Sequence, residues 1–372
     1  MRKTYHRPAG LVYGLDARHV IGQGRGASLG GLSAVAYTLV EVIERDGGTI
    51  RRRFESYASR QLEHFPPPRG EGLRVGGGRH SDSRTPTPTP PHKGEGNRDD
   101  EGNHRPLIMG IVNVTPDSFS DGGRNAQAET AIANGLQMAK DGADLLDVGG
   151  ESTRPGSEGV PEDEELRRVI PVIEALAKAG LKVSVDTRKA RVMREALKAG
   201  AQIVNDVAAL TYEPQAMEVI AEAQCPVILM HAQGDPRTMQ LSPTYDDVAL
   251  DVFDWLEARI AACVAAGIAR ERIIADPGIG FGKSFRHNLD VLRQFTLFHG
   301  LGVPLLMGLS RKAFVGALTG EKLAANRVNG SVGGALWSAL NGAHILRVHD
   351  VKATVEALAV VRASADPDEA GL

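Results

Sequence analysis

From residue 107 to residue 348, short apolar runs rich in β-branched residues alternate with longer stretches whose apolar positions recur at helical spacing. The runs are Leu107–Val114, Leu145–Gly149, Val183–Thr187, Ile203–Val207, Val227–His231, Ile273–Pro277, Leu305–Ser310 and Ile345–Val348. Between them lie amphipathic segments such as Glu164–Ala179, Lys189–Ala199, Asp246–Ala266 and His287–His299. Several end in Asp-Gly or Ala-Gly (Gly142, Gly180, Gly200, Gly267), where glycine supplies a left-handed helix cap. Eight strand–helix units in about 260 residues predict an α/β fold, a closed (β/α)8 TIM barrel. A doubly wound open sheet is the alternative, but it normally has fewer units and a phosphate loop after its first strand.

The pattern divides the chain further. Residues 66–104 are rich in Pro, Gly and charge and almost without large apolar groups, so they cannot bury enough surface to offset the entropy of ordering. They read as a flexible linker. Residues 1–65 form an N-terminal extension, with Ala36–Arg45 and Thr49–Ser56 flanking Asp46-Gly47-Gly48, a hairpin signal that suggests a small β element. The barrel is expected over 105–365, with 366–372 as a tail.

Composition changes this picture little. At 42% hydrophobic and 24% charged residues the chain is that of an ordinary globular protein with a large core. Residues 1–104 carry 16 Lys+Arg against 12 Asp+Glu, but the charges are scattered, which argues against nucleic-acid binding. Cys225 and Cys263 stand alone among apolar residues, as structural thiols of a reducing compartment do. With no signal-peptide-like run and no membrane-length apolar stretch, a cytoplasmic location is expected.

The chemistry collects where each apolar run ends. Asn113, Asp147 leading to Arg154, Asp186, Asn205-Asp206, His231, Asp276, Ser310-Arg311-Lys312, and Arg347 with His349-Asp350 all fall at the C-terminal ends of predicted strands. In a barrel those ends meet on one face, where such enzymes keep their active sites. A single polar residue there more often caps the next helix, the reading given to Asp206 and Asp350. All eight ends together point to a ligand. Arg154, Lys312, Arg347 and His349 suit a phosphate or diphosphate. Asp186, Asn205 and Asp276 can pair with a planar heterocycle rich in N–H donors, and Asn113 can offer an amide oxygen to a hard cation held by diphosphate. The stretch 277–284 approaches a nucleotide P-loop, but Pro277 occupies the required first glycine, so Lys283 reads as a loop cation.

At these residues the chain resembles the dihydropteroate synthases. The likeness rests on Asn113 to Gly123 (NVTPDSFSDGG), Asp147 to Gly156 (DVGGESTRPG), Val185-Asp186-Thr187, Val204-Asn205-Asp206, Asp276 to Lys283 (DPGIGFGK), Gly308 to Lys312 (GLSRK) and Arg347 to Val351 (RVHDV), all in the family's order. It covers roughly Pro106 to Ala363. The resemblance implies a transferase of folate biosynthesis that joins (7,8-dihydropterin-6-yl)methyl diphosphate to 4-aminobenzoate. Asp186, Asn205, Asp276 and Lys312 would hold the pterin. Asn113, Arg154, Arg347 and His349 would hold the diphosphate, with Mg2+ carried by the ligand and Asn113. Phe119, Thr153, Pro155 and Ser310 would form the 4-aminobenzoate pocket that sulfonamides also occupy. Asn113, Arg154, Asp186, Lys312, Arg347 and His349 would carry the catalysis, and the family also implies a homodimer through its later helices. One departure is Ala313, where many members have Ser after the lysine; the backbone N–H groups of the following helix could still receive the carboxylate.

The resemblance also implies a dissociative path, in which the diphosphate leaves before the weakly nucleophilic aniline nitrogen attacks. The neighbouring readings are a corrinoid-type pterin-binding methyltransferase and a catalytically silent pterin- or anion-binding paralogue. The first would not be expected to carry both the 113–123 loop and the Ser310-Arg311-Lys312 motif. Against the second stand the intact Asn113, Arg154, Lys312, Arg347 and His349.

Overall fold

The structure, a computed structural model, describes residues 2–59, 105–114, 124–152, 157, 159–234 and 239–367. Its main body begins with strand β5 (Leu107–Asn113), numbered after four strands of an N-terminal sheet described below. Seven more follow: β6 (Leu145–Gly149), β7 (Val183–Asp186), β8 (Ile203–Asp206), β9 (Val227–Met230), β10 (Ile273–Asp276), β11 (Leu306–Met307) and β12 (Ile345–Val348). They pair in parallel in the order β10-β9-β8-β7-β6-β5-β12-β11, and a parallel bridge between Ala275 and Leu305 joins the two ends into a barrel. The predicted TIM barrel is therefore observed. The seventh strand is shorter than the apolar run 305–310 suggests, because only Leu306 and Met307 pair with β12.

Helices α2 (Arg124–Lys140), α3 (Glu162–Lys178), α4 (Ala190–Lys198), α5 (Pro214–Ala223), α6 (Val248–Ala265), α7 (Phe285–Arg293), α8 (Ala313–Thr319), α9 (Val328–Leu340) and α10 (Val351–Ala365) fill the connections. The segment 287–299 is not one helix. It breaks at Gln294 into α7 and a 3-10 segment, Phe295–Leu301, whose aromatic side chains are buried. Gly142, Gly180, Gly200 and Gly267 adopt φ of 102°, 79°, 109° and 93° at the helix ends, a region a Cβ would strain.

Two cores follow from the period of two along each strand. Outward-facing residues join the helices in one large buried cluster that includes Ile108, Val148, Val185, Val204 and Leu229. Inward-facing Met109, Leu145, Ile203, Ile228, Ile274, Leu306 and Ile345 form a separate apolar plug that fills the barrel. Everything two residues further along those strands stands on top of that plug.

Residues 2–59 form a four-stranded antiparallel sheet. Strand β1 (Arg2–Tyr13) pairs with Val35 to Asp46 of β3 (Leu32–Asp46), whose other edge carries β2 (Ala27–Leu29) and β4 (Thr49–Ser56). Asp46 faces Thr49 across Gly47-Gly48, and helix α1 (Gly14–Gly22) follows β1. The sheet rests on the barrel wall. Lys3 Nζ donates to Asp254 at 2.6 Å and Tyr5 Oη to the same carboxylate at 2.8 Å on α6. Arg45 reaches Asp251 at 2.6 Å and Arg52 reaches Asp247 at 2.8 Å. The Thr296 hydroxyl donates to the Pro8 carbonyl at 2.8 Å.

Candidate active site

Period two predicts which strand residues reach the mouth. Two places beyond Leu145, Ile203, Ile274 and Ile345 lie Asp147, Asn205, Asp276 and Arg347, and Asp186 ends β7 beside them. The register confirms a common height, with Asn113 opposite Gly149, Gly149 opposite Asp186, and Asp186 opposite Asn205.

Most of this layer is one bonded unit. Arg347 Nε donates to Asp147 Oδ2 at 2.6 Å and Arg347 Nη2 to Asp186 Oδ2 at 2.7 Å. Asn205 Nδ2 donates to the same Asp147 oxygen at 2.9 Å. Asp147 is fully buried, and its other oxygen, Oδ1, has no hydrogen-bond partner. Such an acceptor is costly to leave unsatisfied.

The far side of the mouth is built by the turn after β10. Asp276 Oδ1 accepts from the Gly278 amide at 2.7 Å. Lys312, at the N-cap of α8, donates to the Ile279 carbonyl and lies 4.8 Å from the centre of the Phe281 ring. Ser310 and His349 pair on the rim, with Ser310 Oγ 3.2 Å from the His349 amide and 3.1 Å from its Nδ1. The structure thus brings together Asp186, Asn205, Asp276, Ser310, Lys312, Arg347 and His349, with Asn113 half-buried at the end of β5. Phe119, Thr153, Arg154 and Pro155 lie outside the described residues.

Low dielectric shapes the charges here. Burial pushes the Asp186 carboxyl up to about 7, against the pull of Arg347 and with the help of neighbouring Asp147. Burial likewise raises Asp276, opposed by Lys312. It drives the Lys312 ammonium down to about 8, with Asp276 resisting. Arg347 keeps its proton: burial opposes the charge, but Asp147 and Asp186 outweigh it and raise the group above its ordinary value.

Of four neighbours, Asp206 caps as its sequence position suggests, although it caps a turn rather than a helix, and the other three lie in settings of their own. Asp206 caps the turn after β8, accepting from the Ala208 and Leu210 amides at 2.7 Å each. Asp350 makes no side-chain cap on α10; it accepts a two-pronged pair from Arg311 instead. Arg311 adopts φ 59°, which turns its side chain out of the mouth. Lys283, expected as a loop cation, is buried inside its loop. Nearby, Lys189 Nζ donates to Glu151 Oε2 at 2.5 Å and to the Val160 carbonyl at 2.7 Å.

Residues 109–349 match the family model described as pterin binding enzyme. The dihydropteroate synthase of Escherichia coli K12 is 49% identical over 265 residues, covering 71% of this chain and 93% of the relative. A solved Xanthomonas albilineans dihydropteroate synthase with 4-aminobenzoic acid superposes with a TM-score of 0.67 at 54% identity, covering 70% of this chain and 93% of that one. A second structure from that organism, in complex with 7,8-dihydropteroate, gives a TM-score of 0.64 at 50% identity, over 70% of this chain and 94% of that one.

The chain belongs to the dihydropteroate synthases.

Within that family's site, sequence reasoning left Asp147 without a role although it anchors the layer. The signal was available: Asp147 shares its inward parity with Asn205 and Arg347, each two residues past a plug residue. Arg347, expected at a diphosphate, bridges the carboxylates of Asp147 and Asp186.

Proposed function

We propose that the mouth condenses (7,8-dihydropterin-6-yl)methyl diphosphate with 4-aminobenzoate, giving 7,8-dihydropteroate and diphosphate. The observation that carries this reading is the bonded layer Asp147–Arg347–Asp186–Asn205 standing on a dry apolar plug. It offers a planar bicycle an apolar floor and a ring of in-plane acceptors and donors. The carboxylates of Asp186 and Asp276 suit the N–H donors of a dihydropterin.

In the reaction the exocyclic C–O bond breaks and its electron pair leaves with diphosphate. The aniline lone pair then forms the C–N bond and the nitrogen sheds a proton. Aniline is a modest nucleophile, so the residues act mainly on the departure. Arg347, His349 and, by the resemblance, Arg154 stabilise charge building on diphosphate. Asp186 and Asp276 favour the cationic methylene electrostatically. Neither strand-end carboxylate needs to bond covalently to substrate.

Magnesium belongs to the same proposal. Among the described residues no group of three or more His, Cys, Asp or Glu is arranged to hold a metal, whereas Asn113, half-buried at the end of β5, carries an amide oxygen. That donor set fits a cation that arrives on diphosphate and takes one protein oxygen. When bound it would neutralise leaving-group charge. A homodimer is supported by apolar residues left in solvent on consecutive elements, Leu318 at 57% and Leu323 at 65% exposed with Trp337 on α9 at 50%. Free, buried Cys225 and Cys263 accord with a cytoplasmic setting, and among the described residues no helix is long and apolar enough to cross a membrane.

The test is release of diphosphate from the pterin substrate by the full chain with and without 4-aminobenzoate. Release that requires 4-aminobenzoate, and that a sulfonamide suppresses competitively, is expected. Release at the same rate in its absence would indicate simple hydrolysis and end the reading.

A further inference from the structure

The turn from Gly278 to Gly282 is wound tightly against the end of β9. Gly278, Gly280 and Gly282 adopt φ of 70°, 86° and 61°. A Cβ on Gly278 would stand 1.9 Å from the His231 carbonyl oxygen, and one on Gly282 would stand 2.2 Å from that of Gln233. Left-handed glycines permit this path but do not hold it. The holding is done by Lys283. Its ammonium lies 2.9 Å from His231 Nδ1, 2.9 Å from the Gly278 carbonyl and 3.2 Å from the Phe281 carbonyl. The two carbonyls accept from it, His231 Nδ1 pairs with it in the role its tautomer sets, and the residue is 2% exposed. The Tyr245 hydroxyl closes the outside of the same turn by donating to the Gly282 carbonyl at 2.7 Å.

This turn carries no group assigned to a substrate, yet it presents the Ile279 carbonyl and the Phe281 ring, the two features that hold Lys312. It also supplies the Gly278 amide that orients Asp276. We propose that Lys283 is a positioning residue for the pterin half of the site: by binding β9's last carbonyl-side neighbour and two turn carbonyls to one ammonium, it sets where Lys312 and Asp276 stand. The inference rests on the functional reading above. A lysine that only filled space would not need three aligned polar partners. Burial of an ammonium is expensive, and burial does push Lys283 down to about 7; the neutral amine still has two N–H donors for the Gly278 and Phe281 carbonyls and a lone pair that can accept from His231 Nδ1–H.

The test compares wild type with Lys283→Met, which keeps the stem and removes every donor, and with Tyr245→Phe, which loosens the same turn from outside. Affinity for the pterin diphosphate is read by calorimetry and the kinetics by diphosphate release. Lys283→Met should weaken pterin binding at least about tenfold, as loss of support behind a ligand contact does. The KM for 4-aminobenzoate at saturating pterin should move less than about twofold. Tyr245→Phe should shift the same constant in the same direction by a smaller factor. A purely structural role would lower the melting temperature or the active fraction and leave pterin affinity unmoved, which overturns the proposal. If Lys283→Met does not fold, Tyr245→Phe decides by the same criterion. A wild type that binds the pterin without turning it over would sink the functional reading alone, while the affinities would still judge Lys283. A wild type that binds no pterin would sink both.

Discussion

Replacing Arg347 with alanine is the most informative perturbation of the mouth, because one side chain neutralises two buried carboxylates. The guanidinium donates to Asp147 at 2.6 Å and to Asp186 at 2.7 Å, and the Asp147 side chain has no exposure. Breaking a buried pair from one side costs about 3–5 kcal/mol, since the abandoned charge stays desolvated. The Arg347 side chain keeps 21% exposure, so water can enter the gap, and about 3 kcal/mol is the better figure. For a domain of this size that lowers the melting temperature by roughly 6–12 °C near neutral pH. Loss of a charge-stabilising donor should separately cut kcat by about 10²–10³-fold.

The stability loss should depend on pH with a definite sign. Asp186 already stands at about 7 in the folded protein, against an ordinary 3.8. Without Arg347 it loses the main influence holding it down and climbs further. A carboxyl whose folded value is raised favours folding when protonated. Its contribution is therefore fully present below about pH 4 and is lost as pH rises through the folded value. The gap in melting temperature between Arg347→Ala and wild type should accordingly widen as pH rises above about 7, where Asp186 of the wild type has already ionised, and stay constant between about pH 7 and pH 4. Thermal denaturation across that range and single-turnover diphosphate release are the assays. A variant with normal turnover and an unchanged, pH-independent melting temperature would refute the bonded layer as described.

Three further outcomes follow from the same geometry. Pterin affinity of the wild type should weaken as pH falls through about 7, where Asp186 takes up a proton; a flat calorimetric profile from acid to neutral pH would mean the ligand does not use that carboxylate. Asn113→Ala should raise the magnesium concentration giving half-maximal diphosphate release by about tenfold, as loss of one ligand to a weakly held cation does, with little change at saturating metal; an unaltered magnesium curve would remove Asn113 from the metal. Leu318→Glu combined with Trp337→Glu should give a monomer by sedimentation, because each charge would be buried in the proposed interface; an unchanged mass would move the contact elsewhere.

The barrel was legible because each strand is an apolar run bounded by a change to polar residues, and parallel strands buried on both faces advertise themselves this way. Asn113, Asp186, Asn205, Asp276 and Arg347 were legible for the same reason, as the polar ends of such runs. What escaped depends on contacts between distant segments. Lys283 reads as a solvent cation by residue type, and only the closure of its own turn on His231 shows it enclosed. Asp350 reads as a cap, but the left-handed backbone at Arg311 sends a guanidinium to it. Strand β1 mixes charged, apolar and Pro residues without clean alternation, because it lies partly on the barrel through Pro8 and Tyr5 rather than on one uniform face. Asp147 was read as strand-borne but given no role, since its partner Arg347 stands 200 positions away.

The central claim is that one heterocycle is gripped at a single mouth by side chains from β7, β8, β10 and β12 and by Lys312 at the start of α8. A crystal structure of the full chain with the dihydropterin diphosphate tests it directly. The account predicts ring nitrogens within hydrogen-bonding distance of Asp186, Asn205 and Asp276, with Lys312 facing the ring. Electron density for the ring anywhere else on the protein, with those side chains left as they stand in the free enzyme, would contradict it.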